Sequence, residues 1–419
     1  MTVIGLDDTD SRELGMCTTY VASRLAADIT AVGGTVRRTL LVRLNPAVEH
    51  KTRGNAALAV HTDIDAGQAG RLADDRLDLA ADDPETNPGV AVADCEPDRV
   101  PAAVADFSRA AVRHYHDPAD ARALAAETGI DTLERGTGRG VVGALAAVGA
   151  ARAFEAWTAE TIAYRERERW GTERDVDRET VFAAAAEAYP AVWDTVDRAE
   201  GTAVCVPRTP CPVLYGVRGE TADATRRVAH AIAGEPVART HTFLTNQGTD
   251  AHLRPARATE VENGRAYRVD GTVVDGPETV EGGHVFLTVR DDAALRCAAF
   301  EPTKRFRDRV RALRAGDRLT VCGEVADGTL KLEKFAVRDR SRTELVTPDC
   351  PDCGRSMESA GRGQGYRCRD CGTAADGKVE RPVDRDIEDG WYEVPPVARR
   401  HIAKPLVRGG FDAPTHPER

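Results

Sequence analysis

Hydrophobic and polar positions alternate with two periods in the first 167 residues, so strands and helices are expected to follow one another there. Short apolar runs typical of strands occur at Val3–Leu6, Val36–Leu44 and Ala57–His61. Apolar residues recur with helical spacing at Cys17–Ile29 and Val100–His114. We therefore predict a mixed α/β unit over residues 1–167.

A second, smaller unit is predicted for residues 168–260. Its helices are expected at Glu179–Tyr189 and Ala222–Ile232, and its strands at Ala203–Pro207, Val213–Val217 and Thr240–Thr245. Helices and strands in this order indicate an α+β arrangement.

The pattern changes again near residue 261, where strand-like runs dominate up to residue 342. Four runs at Val269–Val274, Val285–Arg290, Arg318–Glu324 and Leu330–Ala336 are separated by turns, with one helix expected at Lys304–Arg314. Short strands with one helix favour an OB-fold β-barrel. Residues 343–419 hold paired cysteines and a basic tail, which completes a multidomain α+β chain.

Length and composition agree with two to four folded domains. The chain has 419 residues, 42% of them hydrophobic, and a formal net charge of −11. Its basic residues are 51 arginines and six lysines, a skew that suggests adaptation to a salty cytoplasm. Because concentrated salt screens long-range fields, the acidic balance does not exclude an RNA partner.

A cytoplasmic location without membrane insertion is expected. The longest nearly apolar stretch, Gly140–Ala150, is too short to span a bilayer. Asp7 and Asp8 interrupt the N-terminus where a secretory signal would be apolar. Four of the ten cysteines form two Cys-x-x-Cys pairs, which indicates a metal site in a reducing compartment.

The paired cysteines are the most specific signal in the sequence. Each pair is followed by a glycine that lets the chain turn around a metal, and four thiolates complete a closed tetrahedral site. We predict structural zinc rather than catalytic zinc; coincidental or redox-active pairs are the alternative. The ligands are Cys350, Cys353, Cys368 and Cys371.

An acidic cluster, Asp7-Asp8-Thr9-Asp10, directly follows the first strand. Carboxylates at a strand's end can hold Mg²⁺ on a nucleotide, although Asp-Asp pairs elsewhere in the chain show that a turn or cap is the alternative. Thr18 and Thr19 then open a helix, where hydroxyl and N–H groups can face an anion. A plain helix cap is the competing interpretation of these threonines.

A glycine-rich segment, Gly136–Gly143, contains the spacing Gly-x-Gly-x-x-Gly. The helix-like stretch Ala119–Glu127 before it argues against a dinucleotide-binding fold. The segment is interpreted as a loop that opens a helix and cradles phosphate, with a tightly packed glycine–alanine helix as the alternative. No Walker A motif is present, so any use of ATP occurs without a P-loop.

Three further polar segments are candidates for ligand binding. His50–Asn55 follows Arg43–Pro46 and forms a cationic loop suited to phosphate, or else a solvated turn. Pro212–Glu220 and Thr245–His252 place polar side chains at strand ends of the second unit. These residue types alone do not identify the ligand.

Together these motifs resemble the archaeal 2-agmatinylcytidine synthetase family, TiaS, which acts on the isoleucine tRNA with a CAU anticodon. The resemblance extends over nearly the full chain. It is carried, in order, by Gly5–Asp10, Gly15–Thr19, Arg43–Pro46, Lys51–Asn55, Gly138–Gly149, Pro212–Glu220, Thr245–His252, the four cysteines, Trp391–Pro396 and Ala398–His401.

The resemblance implies a fold and a reaction. It implies a kinase-like domain without P-loop (1–167), a ferredoxin-like domain (168–260), an OB fold (261–342) and a zinc ribbon with C-terminal tail (343–419). The implied enzyme conjugates agmatine to C2 of the wobble cytidine, position 34, of the CAU-anticodon isoleucine tRNA, so that the anticodon reads AUA. ATP yields AMP and two phosphates, and the cytidine is phosphorylated before the amine displaces the phosphate.

The resemblance also implies roles for individual residues. Mg²⁺ and the triphosphate are assigned to Asp7, Asp8 and Asp10, and Thr18 matches a threonine that the family autophosphorylates. Phosphate binding is assigned to Thr19, Lys51, Arg53, Gly138, Arg139 and Gly140. Agmatine binding is assigned to Tyr215, Gly216, Thr245, Asn246, Gln247, Thr249 and Asp250. The partners are tRNA, agmatine and ATP, with no membrane and no obligate protein partner.

Two other functions fit parts of the sequence. An OB fold with a zinc ribbon also occurs in proteins that bind single-stranded nucleic acid without catalysis, which would leave the acidic cluster unexplained. A different ATP-dependent enzyme that attaches another amine is the second alternative. Incubation with ATP and tRNA, with and without agmatine, distinguishes all three.

Overall fold

A mixed β-sheet joins the first two predicted units in the computed structural model, which describes residues 1–49, 51 and 54–419. The strand order in the described part of this sheet is β5-β4-β1-β3-β2-β11-β6-β10-β7. The strands and helices of the amino-terminal half of the sheet are β1 (Thr2–Asp7), α1 (Thr18–Ala31), β2 (Val36–Arg43), β3 (Ala56–Thr62), α2 (Ala66–Leu77), β4 (Gly89–Ala93), α3 (Ala102–Ala111), α4 (Pro118–Thr128), β5 (Asp131–Glu134) and α5 (Val141–Ala153).

The other half of the sheet is built from the last strand of the first predicted unit, residues 158–165, and from the second unit. Its elements are β6 (Thr158–Arg165), α6 (Arg178–Ala188), β7 (Val192–Trp193), β8 (Val196–Asp197), β9 (Thr202–Ala203), β10 (Val213–Gly219), α7 (Ala222–Ala231) and β11 (Val237–Thr245). The two halves meet where β2 and β11 run parallel, with Leu40 opposite Leu244 and Leu41 opposite Thr245.

Alternating side chains of the first half form two separate cores. In β1, Val3 packs with α3, α4 and α5 on one face, whereas Ile4 and Leu6 pack with α1 and α2 on the other. Helix α5 approaches β1 closely because its sequence is rich in glycine and alanine. A Cβ atom on Gly5 would lie 1.9 Å from the carbonyl oxygen of Ala144, so only glycine permits this contact.

The elements of the third unit are β13 (Arg265–Thr279), β14 (Val285–Arg290), β15 (Ala294–Ala299), α8 (Phe306–Arg311), β16 (Arg318–Ala326) and β17 (Thr329–Asp339). A short strand from the end of the second predicted unit, β12 (Arg254–Pro255), pairs with β13. Strands β13, β14, β15, β17 and β16 pair in turn and β16 returns to β13, so the five strands form a closed ring.

Short strands make up the carboxy-terminal part, and the last two return to the ring through pairing of β23 with β17. They are β18 (Thr343–Val346), β19 (Glu358–Ser359), β20 (Tyr366–Arg367), β21 (Ala374–Ala375), β22 (Val379–Pro382), β23 (Gly390–Glu393) and β24 (Thr415–His416). No helix in the described residues is long and apolar enough to cross a membrane.

Most predicted elements are confirmed, but three predictions need correction and several strands were missed. The strand expected at Ala203–Pro207 is wrong beyond its first residue, since β9 ends at Ala203. The helix expected at Lys304–Arg314 forms only over Phe306–Arg311. Several strands were not predicted, among them β4, β5, β6 and β15, because alanine-rich or charged runs carry little strand signal. The glycine-rich segment is preceded by a strand, β5, although that strand pairs antiparallel with β4 and is not part of a β-α-β unit.

A candidate active site between the two halves of the sheet

A cavity of about 330 Å³ opens where the two halves of the large sheet meet. The first half contributes the carboxyl end of β1 and the amino-terminal ends of α1 and α5. The second half contributes β6, β10 and the loop before β10. Both halves therefore supply walls to one site.

Asp7 is the first of the three predicted acids that line the cavity. Its carboxylate packs against α5, where a Cβ atom on Gly143 would lie 1.9 Å from the Asp7 Oδ2. Burial and the neighbouring carboxylates of Asp8 and Asp10 raise the pKa of Asp7 well above its ordinary value. The three predicted acids are thus close enough to repel one another, and a cation would relieve that repulsion.

Asp8 stands in a left-handed backbone conformation with a φ of 57°. Its Oδ2 accepts a hydrogen bond of 2.9 Å from the Nε of Arg139, which links the acidic cluster to the glycine-rich segment. Burial raises the pKa of Asp8 to about 6, and Arg139 opposes the increase. Asp8, which follows β1, and Arg139, which precedes α5, are distant in sequence but form one charged group.

The two predicted threonines open helix α1 beside the acids. The Oγ1 of Thr18 accepts a hydrogen bond of 3.1 Å from the buried hydroxyl of Thr9. The hydroxyl of Thr19 lies 3.0 Å from the Sγ of Cys17, which also lines the cavity. A helix amino terminus with this hydroxyl group is suited to an anion.

The glycines before α5 are required by packing. A Cβ atom on Gly140 would lie 2.4 Å from the Gly89 backbone nitrogen, and one on Gly138 would collide with the Glu134 carboxylate. Gly138 also has a φ of 72°, which favours glycine. The tight-packing interpretation is therefore confirmed, and phosphate binding by this loop stays a prediction.

The cationic loop is described only in part. Lys51 lines the cavity, and its Nζ donates to the carbonyl oxygen of Val48 at 3.1 Å. Burial lowers the pKa of Lys51. His50, Thr52 and Arg53 lie outside the described residues, so the assignment of Arg53 stays a prediction.

The wall formed by the second half contains a charged group that the sequence analysis did not identify. Glu160 on β6 is 3% exposed, and its carboxylate lies 3.2 Å from Arg43 and 3.2 Å from Arg218. Burial opposes ionisation of Glu160, but Arg218 and Arg43 outweigh it and lower the pKa. A charged residue within a strand, as Glu160 is within β6, is the sequence signal that could have identified this group.

The cavity mouth carries a second feature that the sequence analysis missed. His114, Tyr115 and His116 follow helix α3 and line the opening, and Tyr115 is 63% exposed. An exposed tyrosine at the mouth offers a stacking surface for a base. These residues belong to no motif, and only their position after a helix brings them to the site.

The residues assigned to agmatine are not all brought to the cavity. Gly216 lines it, whereas the Tyr215 side chain is buried beside α7 and donates to the carbonyl oxygen of Ala229 at 2.9 Å. Strand residues alternate between faces, so only one of these two neighbours can face the site.

The loop after β11 lies behind the cavity wall and supports Arg43. Asn246 Oδ1 accepts from the Arg43 backbone N–H at 2.7 Å, and Gln247 Oε1 accepts from its Nε at 2.9 Å. The Thr245 and Thr249 hydroxyls bond within the loop. Asp250 forms an ion pair of 2.7 Å with Lys334 of the third unit. Gln247 lines a second, basic cavity that adjoins the first.

The four cysteines converge as predicted. Their Sγ atoms lie within 4.8 Å of one another, and those of Cys353 and Cys368 are 3.6 Å apart. Tetrahedral zinc with Zn–S bonds of about 2.3 Å would separate two sulfurs by about 3.8 Å. The donor set therefore fits zinc, and Cys350 and Cys368 are buried with Met357 in a very small core.

Comparison with known proteins gives one consistent result. Family models described as the TiaS TCKD domain, the TiaS FLD domain and the TiaS C-terminal zinc ribbon domain match residues 3–74, 138–252 and 347–387. The chain is 53% identical to the isoleucine-tRNA 2-agmatinylcytidine synthetase TiaS of Haloquadratum walsbyi, with 100% of each covered. It is 45% identical to the enzyme of the same name from Methanosarcina mazei, with 97% of each covered.

Solved structures agree. A complex of TiaS with its isoleucine tRNA and ATP matches with a TM-score of 0.90 and 42% identity, covering 100% of this chain and 99% of that chain. A complex of TiaS with the same tRNA, AMPCPP and agmatine matches with a TM-score of 0.88 and 39% identity, with the same coverage.

Proposed function

The chain belongs to the TiaS family, and from that membership we propose that it is an isoleucine-tRNA 2-agmatinylcytidine synthetase. It is then an ATP-dependent ligase that attaches agmatine to C2 of the wobble cytidine in the CAU-anticodon isoleucine tRNA. The cavity is the observation that supports this most directly. This cavity is lined by the acidic residues, the threonines and the glycine-rich segment of the first half of the sheet, and by the wall around Glu160 in the second half.

We propose for this chain the division into domains that the sequence predicted. A kinase-like domain without P-loop (1–167), a ferredoxin-like domain (168–260), an OB fold (261–342) and a zinc ribbon with tail (343–419) follow in order. The closed five-stranded ring favours the OB assignment. Strand β6 (Thr158–Arg165) pairs with β10 and β11, which supports moving the start of the ferredoxin-like domain from residue 168 to a position before β6.

Mg²⁺ is proposed to lie between Asp7, Asp8 and Asp10. The mutual repulsion of these carboxylates and their hard oxygen donors fit the ion. When bound, the ion would neutralise charge on the triphosphate. Arg139 and Lys51 line the same cavity and are proposed to bind phosphate oxygens with Thr19, Gly138, Gly140 and Arg53.

The reaction is proposed to pass through a phosphorylated cytidine. The wobble base must leave its stack to enter the cavity. Transfer of phosphate to its O2 atom turns a poor leaving group into a good one. The agmatine amine then forms a C–N bond at C2, phosphate leaves with the former O2, and the amine loses a proton. One phosphoryl group of ATP thus leaves as phosphate with the former O2, and the other is transferred to water, so that ATP is consumed to AMP and two phosphates. The cytoplasm is the proposed location.

Thr18 provides a specific test of the nucleotide chemistry. Thr18→Ala removes the hydroxyl that lies beside the acids, so we expect loss of γ-phosphate transfer to the protein and loss of turnover by at least about a hundredfold. The measurement is retention of ³²P on the protein after incubation with γ-labelled ATP. Thr128→Ala, at the end of α4 and outside the cavity, is the matched control. Label retained by Thr18→Ala would show that another residue carries the phosphate.

Agmatine is proposed to bind against the second half of the cavity, next to Gly216. The family resemblance assigned it to Tyr215, Gly216, Thr245, Asn246, Gln247, Thr249 and Asp250. Gly216 lines this cavity and Gln247 lines the adjoining one, so these two are proposed to bind agmatine directly, while the other five hold neighbouring parts of the fold in place. Glu160 is the carboxylate on this wall, and a cationic ligand needs such an acceptor.

Glu160→Gln is therefore expected to raise the KM for agmatine at least about tenfold and to leave the KM for ATP within about twofold. Glu160→Asp, which keeps the charge, should recover part of the loss. Gln247→Ala should raise the agmatine KM more than the ATP KM. Steady-state assays with each substrate varied give both constants, and an unchanged agmatine KM in both Glu160→Gln and Gln247→Ala would place the amine elsewhere.

Incubation of the protein with tRNA and ATP, with and without agmatine, tests the function as a whole. Mass spectrometry of the wobble nucleotide should show agmatine incorporation only in the complete mixture. Binding of tRNA without any product would favour a nucleic-acid-binding protein. Incorporation of a different amine in preference to agmatine would favour another ligase.

A further inference from the structure

An open groove of about 580 Å³ lies at the seam between the two halves of the large sheet. It forms because β2 and β11 pair only at Leu40–Leu244 and Leu41–Thr245 and separate before that point. Helix α1 and the start of α7 border the groove. It shares no lining residue with the cavity described above.

The charged side chains that line this groove are all positive. Four arginines line it, and no aspartate or glutamate does so among the described residues, although the chain contains 68 acidic residues. Only one of the four, Arg226, forms an ion pair in the described part of the chain. Its partner is Asp223, an exposed neighbour on the same helix at 2.6 Å. The other three are Arg37, Arg38 and Arg239.

Two of these cations are held in place by neutral groups. Arg38 Nε donates to the ring of His61 at 3.0 Å, and burial lowers the pKa of His61 to about 3, so the ring is neutral. Arg239 donates to the carbonyl oxygen of Ser23 at 2.6 Å. Arg24 adds positive charge beside Arg239, and its buried Nε has no hydrogen-bond partner in the described structure.

Such a groove favours phosphate groups over bases. Clefts lined by charges of one sign concentrate the field and attract oppositely charged ligands. Two aromatic rings line the groove: Phe243 is fully buried, and His241 is partly buried, packs against Phe243 and lies 2.9 Å from the Thr39 hydroxyl, so neither ring stands free to stack on a base. Arginine contacts without stacking surfaces position a nucleic acid through its backbone and do not read its sequence.

The groove is also within reach of a substrate in the cavity. Helix α1 begins at Thr18 in the cavity, and Ser23 to Thr30 of the same helix line the groove. At 1.5 Å per residue, these positions lie about 8 to 18 Å along the helix from Thr18. A polynucleotide with one nucleotide in the cavity can extend over this distance, whereas a single nucleotide cannot.

We propose that the groove between β2 and β11 binds the phosphate backbone of the tRNA substrate, away from the modified nucleotide. The proposal rests on the proposed function, because it takes tRNA as the substrate. It adds a sequence-independent contact at the domain seam that orients the anticodon arm over the cavity.

The test uses the full-length protein with Arg37→Gln and Arg226→Gln combined, since these two side chains are exposed. The KM for tRNA should rise at least about fivefold, and the slope of log KM against log salt should fall by about one to two. The kcat at saturating tRNA and the KM values for ATP and agmatine should stay unchanged. Arg71→Gln with Arg227→Gln, two exposed arginines outside the groove, removes the same charge as a control.

An unchanged tRNA KM and salt slope, or an equal change in the control variant, would overturn the proposal. A rise in the ATP KM without a change for tRNA would also overturn it, since the groove would then bind nucleotide phosphates. Wild-type protein that fails to modify tRNA would contradict the proposed function itself. An active wild type with groove variants of normal KM would contradict only the groove.

Discussion

Asp8→Asn is expected to lower turnover at least about a hundredfold while tRNA affinity stays within about twofold. Asparagine keeps the size of the side chain and removes the negative charge that Arg139 contacts and that we propose holds Mg²⁺. The expected loss is therefore in the nucleotide chemistry and not in RNA binding. Turnover assays at saturating ATP and filter binding of labelled tRNA measure the two effects separately.

An aspartate from another Asp-Asp pair is the matched control for this change. Asp82→Asn removes the same charge from a position outside the cavity and should leave turnover unchanged. Full turnover by Asp8→Asn would contradict the assignment of this carboxylate to the metal.

The same carboxylate should make Mg²⁺ affinity depend on pH. Burial raises the pKa of Asp8 to about 6, so protons compete with the cation as the pH falls through that value. Apparent affinity should therefore decrease below about pH 6 and level off above it. Because Arg139 opposes the raised pKa, Arg139→Gln should move this transition to higher pH. A transition at the same pH in Asp8→Asn would show that another group is responsible.

The sequence predicts the parts of this site that belong to one short segment. Asp7 ends β1, Asp8 follows it and Thr18 opens α1, all within twelve residues, so local order is enough to bring them together. The four cysteines are likewise fixed by spacing. In each case the chemistry depends on neighbours in sequence.

The remaining parts depend on contacts between distant strands. Glu160 reaches Arg43 only because β6 and β2 both lie beside β11 in the sheet, an arrangement that no motif encodes. Tyr215 is part of a recognisable segment, but the face it occupies is set by the pairing of β10 with β6. Gln247 is a candidate from sequence because it is polar and follows a strand, but its side-chain oxygen already accepts a hydrogen bond from Arg43.

The largest effect outside the cavity is expected from the zinc ligands. The segment 347–375 contains three two-residue strands and little apolar material beyond Met357 and the cysteines themselves. So small a core cannot stabilise a fold by itself, and metal binding supplies the free energy of folding that the core does not. Loss of one ligand should therefore disorder the segment.

The arginines of this segment fall into two classes, and only one is available to phosphate. Arg355 and Arg369 form ion pairs with Asp370 and Glu358 at 2.7 and 2.5 Å. Arg362 and Arg367 are exposed and form no ion pair with a carboxylate of the described residues. The latter pair is the one we expect to contact tRNA.

Cys368→Ser is accordingly expected to release about one zinc ion per chain and to expose residues 347–375 to protease, with the large sheet intact. The tRNA affinity should fall and its salt dependence should weaken, because fewer phosphate contacts release fewer counterions. ATP binding should not change. Metal analysis, limited proteolysis and filter binding over a salt series are the measurements, and Cys95→Ser, a cysteine outside the cluster, is the control.

A variant that loses zinc but keeps the affinity and salt slope of the wild type would show that zinc only stabilises the segment. The tRNA would then be held by the OB fold and the groove between β2 and β11.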